Sequence, residues 1–287
     1  MSMNESKVSY SNCTVKIPLP SSAPVLATSA QHIFTDNTTK KRKQAVLIDQ
    51  HFQYIFAPYS IHETIIDCLW YDDSQNVLLL TSTSVLMYDF RVQSVKPLLH
   101  IKPTDNQLFK CFTTGSNQST LLIAYDEWEA EFIERWERIS TDDDICWKLI
   151  RNYPLNLTFN EFIGNMTSIE NNLAITIYNH LTEQWRMELR ELENFACLKK
   201  ILLPSINLKH DYRIVYLKPK ILNANWLIFS PSNDKIIAID SNWQKRCYQY
   251  KLAIHRMAQF QENKIIIRTA NRVDIHTINE QLSQNTF

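Results

Sequence analysis

Four residue pairs put oxygen or nitrogen side chains at corresponding places along this sequence: His62-Glu63, Asp105-Asn106, Asn160-Glu161 and His210-Asp211. Carboxylates and amide carbonyls are hard ligands. Glu63, Asp105, Glu161 and Asp211 gathered at one point would suit calcium, which takes about six to eight oxygens. A cation held that way polarises an ester carbonyl for hydrolysis. The same pairs also read as plain connectors, because any loop between apolar segments needs polar residues.

A second group concerns recognition rather than reaction. The stretch "DNTTKKRKQ" carries Lys40, Lys41, Arg42 and Lys43. Such a basic tetrad contacts phosphate or directs nuclear import; as a solvated hairpin tip it merely discourages edge pairing. In "DEWE", Trp128 stands among Asp126, Glu127 and Glu129. Exposed, it would anchor a protein partner; packed under its loop, it is only structural. Trp243, in "DSNWQKR", is a further candidate for an exposed aromatic at a turn.

Other chemistry is scarce. The sequence has no G-x-S-x-G elbow and no HExxH, and the adjacent acids of "TDDD" at 141–144 lack the alternate spacing of a calcium loop. Gly115 and Gly164 are the only glycines, where ordinary usage would give roughly 20. A phosphate-cradling glycine loop is therefore excluded, and Asn, Asp and Ser are expected to make the turns.

Six cysteines, at 13, 68, 111, 146, 197 and 247, lie far apart with no CxxC pair, which points to reduced thiols rather than a zinc or dithiol site. Thirty basic and thirty acidic side chains cancel, so no global field draws in nucleic acid or an anionic membrane. An RNA-binding reading would rest on residues 40–43 alone, since the other basic residues are scattered. No apolar run reaches about 18 residues and no basic-then-apolar leader opens the chain, so neither a span nor export is expected. A cytoplasmic or nuclear address follows.

These residues must be positioned by elements of short period. "IIDCLWYDDSQNVLLLTSTSVLMYDFRVQSVKPLLHIKP", from residue 65, holds four apolar runs separated by polar turns, a four-stranded meander. The order returns near 108, 162 and 212, returns for three strands from 254, and has a weaker copy near 25. Cys68 and Cys111 fall in first strands, Cys146, Cys197 and Cys247 open fourth strands, and Pro58, Pro103, Pro154 and Pro204 follow fourth strands. Two stretches argue for helix. "DEWEAEFIERWERIS" spaces Trp128, Phe132, Ile133 and Trp136 helically, and Ser60 and Glu63 resemble a capping box. The repeat overrides both, because "WRMELREL" at the matching place alternates Trp185, Met187 and Leu189 inward with charges outward.

The last copy lacks its fourth strand. "CTVKIPLP", residues 13–20, matches "CLKKILLP", residues 197–204, at five of eight positions. The first reads as a fourth strand supplied by the N-terminus, closing the ring and removing open edges. The expected organisation is a tail over 1–12, one all-β domain over 13–278, and a polar tail over 279–287.

This meander order, with "LLLTSTSVLMYDF" as second and third strands, resembles a blade of the WD-repeat and NHL-like propeller superfamily. The resemblance lies in pattern, since the Gly-His and Trp-Asp dipeptides are absent and the "NHL" at 179–181 occurs once, in a predicted loop. It implies a six-bladed β-propeller, with five or seven blades as alternatives, whose loops between second and third strands and between blades share one face. It further implies a non-catalytic scaffold, without cofactor, binding a protein through that face. The alternative is a calcium-dependent hydrolase similar to the propeller lactonases, acting on a small molecule at Glu63, Asp105, Glu161 and Asp211. RNA binding ranks third.

Overall fold

The computed structural model describes residues 13–19, 25–37, 44–58, 61, 63–71, 76–104, 107–115, 119–126, 132–140, 145–204, 211–217, 224–231 and 233–278. These contain no helix, and none therefore long and apolar enough to cross a membrane. Strand β1 is Cys13–Pro18, and the first meander is β2 (Leu26–Thr28), β3 (Ile33–Asp36), β4 (Gln44–Ile48) and β5 (Tyr54–Pro58). The second is β6 (Asp67–Tyr71), β7 (Asn76–Leu80), β8 (Val85–Asp89) and β9 (Ser94–Pro97). The third is β10 (Phe109–Thr114), β11 (Thr120–Tyr125), β12 (Phe132–Ser140) and β13 (Ile145–Pro154). The fourth is β14 (Glu161–Ile169), β15 (Asn172–Asn179), β16 (Gln184–Glu191) and β17 (Cys197–Leu202). The fifth is β18 (Arg213–Tyr216), β19 (Trp226–Phe229), β20 (Asn233–Ile239) and β21 (Lys245–Ile254), and the sixth β22 (Arg256–Phe260), β23 (Lys264–Arg268) and β24 (Arg272–Thr277).

Each meander is a four-stranded antiparallel sheet, and β1 completes the sixth in the order β1-β24-β23-β22. The protein is a six-bladed β-propeller, with the N-terminal strand as outer strand of its last blade. The pairing sets Val15 opposite Ile275 and Ile17 opposite Val273, with an irregularity near Cys13. Leu19 continues it by donating its N–H to Asn271 O at 2.8 Å.

The chain divides into two compact units, Met1–Tyr59 with Ile206–Phe287, and Ser60–Ser205. Each contains three blades. In the second unit the first strands β6, β10 and β14 are neighbours, and in the first unit β22 neighbours β2 and β18. Between the blades of the second unit lie two cores. One joins Tyr71, Leu80, Phe109, Ile123, Trp136 and Trp147, and the other Cys111, Leu122, Ile133, Tyr153, Ile163 and Ile175. In the first unit, Ile17, Leu19, Val46, Phe260, Ile266 and Val273 share a core, as do Leu227, Phe229, Tyr248, Ile254, Met257 and Ile267.

Packing on both faces explains the apolar pattern. All six residues of β11 are buried, as are all four of β19, so second strands are continuous apolar runs rather than alternating ones. It also explains the helix-like spacing in β12. Ile133 enters one core, while Trp136, with Phe132 packed alongside, enters the other. Two buried faces on one strand place apolar residues three and four apart. In β16, however, the expected outward charges point into the protein: Arg186 is 8% and Glu188 4% exposed. A strand packed on both faces has no solvent side, so its charges must be paired. The fourth strand of the second blade also ends at Pro97, so Pro103 lies in the following connector.

Turns follow from the scarcity of glycine. In the β4–β5 turn, the Asp49 carboxylate accepts the His51 and Gln53 N–H groups at 2.8 and 2.9 Å. Asp240 does the same for Asn242 and Gln244 in the β20–β21 turn, at 2.9 Å each. Asp thus fixes these turns as expected. Of the eight left-handed seats among the described residues, only Asn156 (φ 53°) is of an expected type; the others go to Phe52 (φ 63°), Gln93 (φ 51°), Glu170 (φ 47°), Glu183 (φ 51°), Phe195 (φ 62°), Trp243 (φ 63°) and Gln261 (φ 57°), with no glycine at positive φ. Residues with a Cβ are disfavoured there by about 1 kcal/mol or more. Trp243 is half-buried rather than exposed.

Both glycines serve close approach instead. A Cβ on Gly164 would sit 2.6 Å from Trp185 Cζ3 and 3.0 Å from Thr176 Oγ1. Trp185 is 1% exposed and cannot swing away. Gly164→Ala should therefore destabilise the protein by about 1–3 kcal/mol, the usual cost of overpacking; an unchanged denaturant midpoint would show that the blade yields instead.

Candidate functional site

In the second unit, loops between second and third strands meet the connectors between blades. Glu63, in the connector before β6, accepts hydrogen bonds from the Thr81 hydroxyl and from Thr83 Oγ1 at 3.0 Å, both in the β7–β8 loop. The Phe109 N–H donates to Ser82 O at 2.8 Å, and the Asp126 N–H to Leu108 O at 2.7 Å. The His180 N–H, in the β15–β16 loop, donates to Asn160 O at 2.8 Å in the connector before β14. Backbone bonds thus join loop to connector in successive blades.

Charged and aromatic groups at this end are tied down. Lys110 Nζ lies 2.8 Å from Asp126 Oδ1 and 5.5 Å from the Phe162 ring centroid, a cation–π distance. Glu161, the first residue of β14, receives both terminal nitrogens of Arg186, the Asn179 amide at 3.1 Å and the Thr158 N–H at 3.2 Å. Arg186 continues to Glu188 at 2.7 Å, and Glu188 to Arg190 at 2.6 Å. Burial alone would raise the Glu161 carboxyl, but the hydrogen bonds from Arg186, Asn179 and Thr158 and the Arg186 charge outweigh it and bring it down to about 2.

Glu134 shows the converse. It is 3% exposed and accepts the Trp136 Nε1–H at 2.8 Å. Burial pushes its carboxyl up against the hydrogen bonds from Trp136 and Tyr125, both neutral donors. Two buried glutamates in one unit go opposite ways because only one faces a guanidinium.

Among the described residues, four large apolar side chains remain in solvent on these loops and connectors: Leu99 (67% exposed), Leu108 (45%), Phe159 (67%) and Leu181 (70%). Phe159 precedes Asn160 and Leu181 follows His180, so the Asn160–His180 bond brings their backbones together. At the opposite end of the strands, a cleft of about 270 Å³ is lined by Gly115, Thr120, Arg135, Tyr153, Glu191 and Glu193, among others. Arg135 there is held by Tyr153 Oη at 3.1 Å and Glu137 at 2.6 Å.

Lys40, Lys41, Arg42, Lys43 and Trp128 lie outside the described residues, as does Asp105. The acids expected to ligate a cation have different surroundings. Glu63 is exposed among hydroxyls, Glu161 is buried against Arg186, and Asp211 is half-buried. Among the described residues no group of three or more His, Cys, Asp or Glu is placed to hold a metal ion. Phe159 and Leu181 escaped the sequence reading, because a lone apolar residue in a polar connector looks like the edge of a strand.

No protein-family model matches the sequence, nor does any curated protein sequence. Solved structures do match. The WD40 domain of Toxoplasma gondii coronin aligns at a TM-score of 0.61 and 6% identity, over 99% of this chain and 85% of that one. A chain of the mitotic checkpoint complex aligns at 0.60 and 7%, over 96% and 93%. Streptogramin B lyase aligns at 0.56 and 9%, over 92% and 97%. At such identities the likeness is one of fold: the six four-stranded sheets form a β-propeller resembling WD40 domains, without their signature residues.

Proposed function

We propose that this propeller is a non-catalytic scaffold that binds a protein partner through the loop-and-connector end of its blades. The observation that carries this is the exposure of Phe159 and Leu181 on adjoining segments whose backbones are pinned by hydrogen bonds. Rigid apolar anchors among polar neighbours are what protein interfaces use at their centres. The likeness to WD40 domains, one match being a chain of a multiprotein complex, supports the general reading. The basic tetrad Lys40–Lys43 and Trp128, which lie outside the described residues, are proposed as further contacts for a partner.

Affinity purification should compare wild type with Phe159→Ala/Leu181→Ala and with a variant neutralised at residues 40–43 and truncated at Trp128. A partner retained by wild type should bind the first variant about thirtyfold more weakly or worse, the equivalent of about 2 kcal/mol. If both variants hold every partner as tightly as wild type, the binding face is elsewhere.

A further inference from the structure

Six outer strands bound the six blades, and five of them carry basic side chains. These are Lys16 in β1, Lys96 in β9, Lys148 and Arg151 in β13, Lys199 and Lys200 in β17, and Lys245, Arg246 and Lys251 in β21. Charge on an edge strand opposes pairing with another chain. β5 has none; it reads Tyr-Ile-Phe-Ala-Pro. Three of its side chains are nonetheless in solvent, Tyr54 at 47%, Ile55 at 63% and Phe56 at 41% exposed, while Ala57 is buried.

The backbone of β5 is poised in the same sense. The Asp49 N–H donates to Gln53 O across the turn, and β5 pairs with β4 as Ile55 opposite Leu47 and Ala57 opposite Ala45. By the alternation of an antiparallel ladder, Ile55 and Ala57 turn their N–H and C=O toward β4, and Tyr54 and Phe56 turn theirs outward. Two outward residues separated by one form a self-complementary edge. An antiparallel copy centred on Ile55 would set Tyr54 against the second Phe56, closing about four backbone hydrogen bonds.

We propose that β5 pairs antiparallel with β5 of a second copy of this chain, about a two-fold axis at Ile55. Charge singles out a second copy. The strand is neutral, so self-pairing opposes no like charges, whereas any other outer strand meeting its own copy brings basic residues together. The chain as a whole carries a formal net charge of zero, which leaves no long-range repulsion between copies. A two-fold interface needs one patch complementary to itself, and this edge meets that condition. A short strand makes a modest interface, so the dimer should be concentration-dependent.

Sedimentation equilibrium of the full chain up to about 1 mM should show a monomer–dimer equilibrium. Ile55→Lys, at an exposed position, should abolish the dimer and leave the thermal midpoint of the monomer unchanged. Ile55→Cys, in a chain whose exposed Cys197 is Ser, should oxidise to a disulfide-linked dimer, because directly opposed residues of a non-hydrogen-bonded pair lie close enough to bridge. Tyr54→Cys in the same background should not. A chain that stays monomeric throughout, a dimer that survives Ile55→Lys, or one occupied at β5 by a different protein would each overturn the proposal. None of these results bears on the loop end, whose partner is assayed separately.

Discussion

Removing residues 1–19 is expected to cost most of the stability of the unit that contains them. The deletion takes away β1, its ladder with β24, and two side chains at the centre of a core, Ile17 at 3% and Leu19 at 0% exposed. Each such side chain contributes about 1.5–3 kcal/mol by burial. The gap they leave faces Ile33, Val46, Phe260, Ile266 and Val273, so a cavity penalty is added. Against a total of about 5–15 kcal/mol for an ordinary domain, the loss is large. Deletion also bares the edge of β24, where Val273 and Ile275 are fully buried in the intact protein, and aggregation on warming should follow. Leu19→Asp tests the packing with the ladder's residues still present, and a peptide spanning residues 13–19 should restore the truncated chain if the strand itself is what is missing. A truncated protein that melts like the whole one would mean that β1 contributes nothing to the last blade.

The β1 pairing was legible because it is written twice. "CTVKIPLP" and "CLKKILLP" occupy equivalent places, outer strands of the sixth and fourth blades. The starts of the first strands were legible for a related reason. Expected near 25, 65, 108, 162, 212 and 254, they fall at Leu26, Asp67, Phe109, Glu161, Arg213 and Arg256. A period survives where signature residues do not, because every blade solves the same packing problem. What pattern could not supply is the destination of polar side chains. In β16 the alternation of Trp185, Met187 and Leu189 with Arg186, Glu188 and Arg190 reads as a half-exposed strand, yet Arg186 and Glu188 are buried. Charge within a strand signals solvent only when one face is free.

The candidate site was legible in outline. Loops between second and third strands do meet the connectors between blades, as Glu63 with Thr83 and His180 with Asn160 show. The particular side chains were not. Glu161 was grouped with Glu63, Asp105 and Asp211 because all precede first strands, but its neighbours in space are Arg186 and Asn179, well separated in sequence. The uncharged edge of β5 needed all six outer strands identified before its difference from the other five became visible.

Arg186→Met is the second substitution expected to have a large effect, and it separates a structural role for Glu161 from a ligating one. Met keeps most of the volume but leaves Glu161, 9% exposed, without its guanidinium, while Glu188 keeps Arg190. Breaking a buried ion pair from one side costs about 3–5 kcal/mol. Replacing both partners, as in Glu161→Leu/Arg186→Met, should be less damaging than Arg186→Met alone, since no uncompensated carboxylate remains. The pH dependence has a definite sign. Glu161 falls from its usual 4.5 to about 2 on folding, and Glu188 is also lowered, as the hydrogen bonds and charges of Arg186 and Arg190 outweigh burial. Groups depressed on folding contribute stability that is complete above about 4.5 and is lost as pH falls toward about 2. For Glu161 that interval corresponds to about 3 kcal/mol. Denaturant midpoints at pH 7 and pH 3 should therefore differ less in Glu161→Gln than in wild type. If Glu161→Gln keeps the full acid sensitivity, or the double variant is as unstable as Arg186→Met, the carboxylate does not depend on Arg186, and its place at the entry to β14 would again be open to a cation.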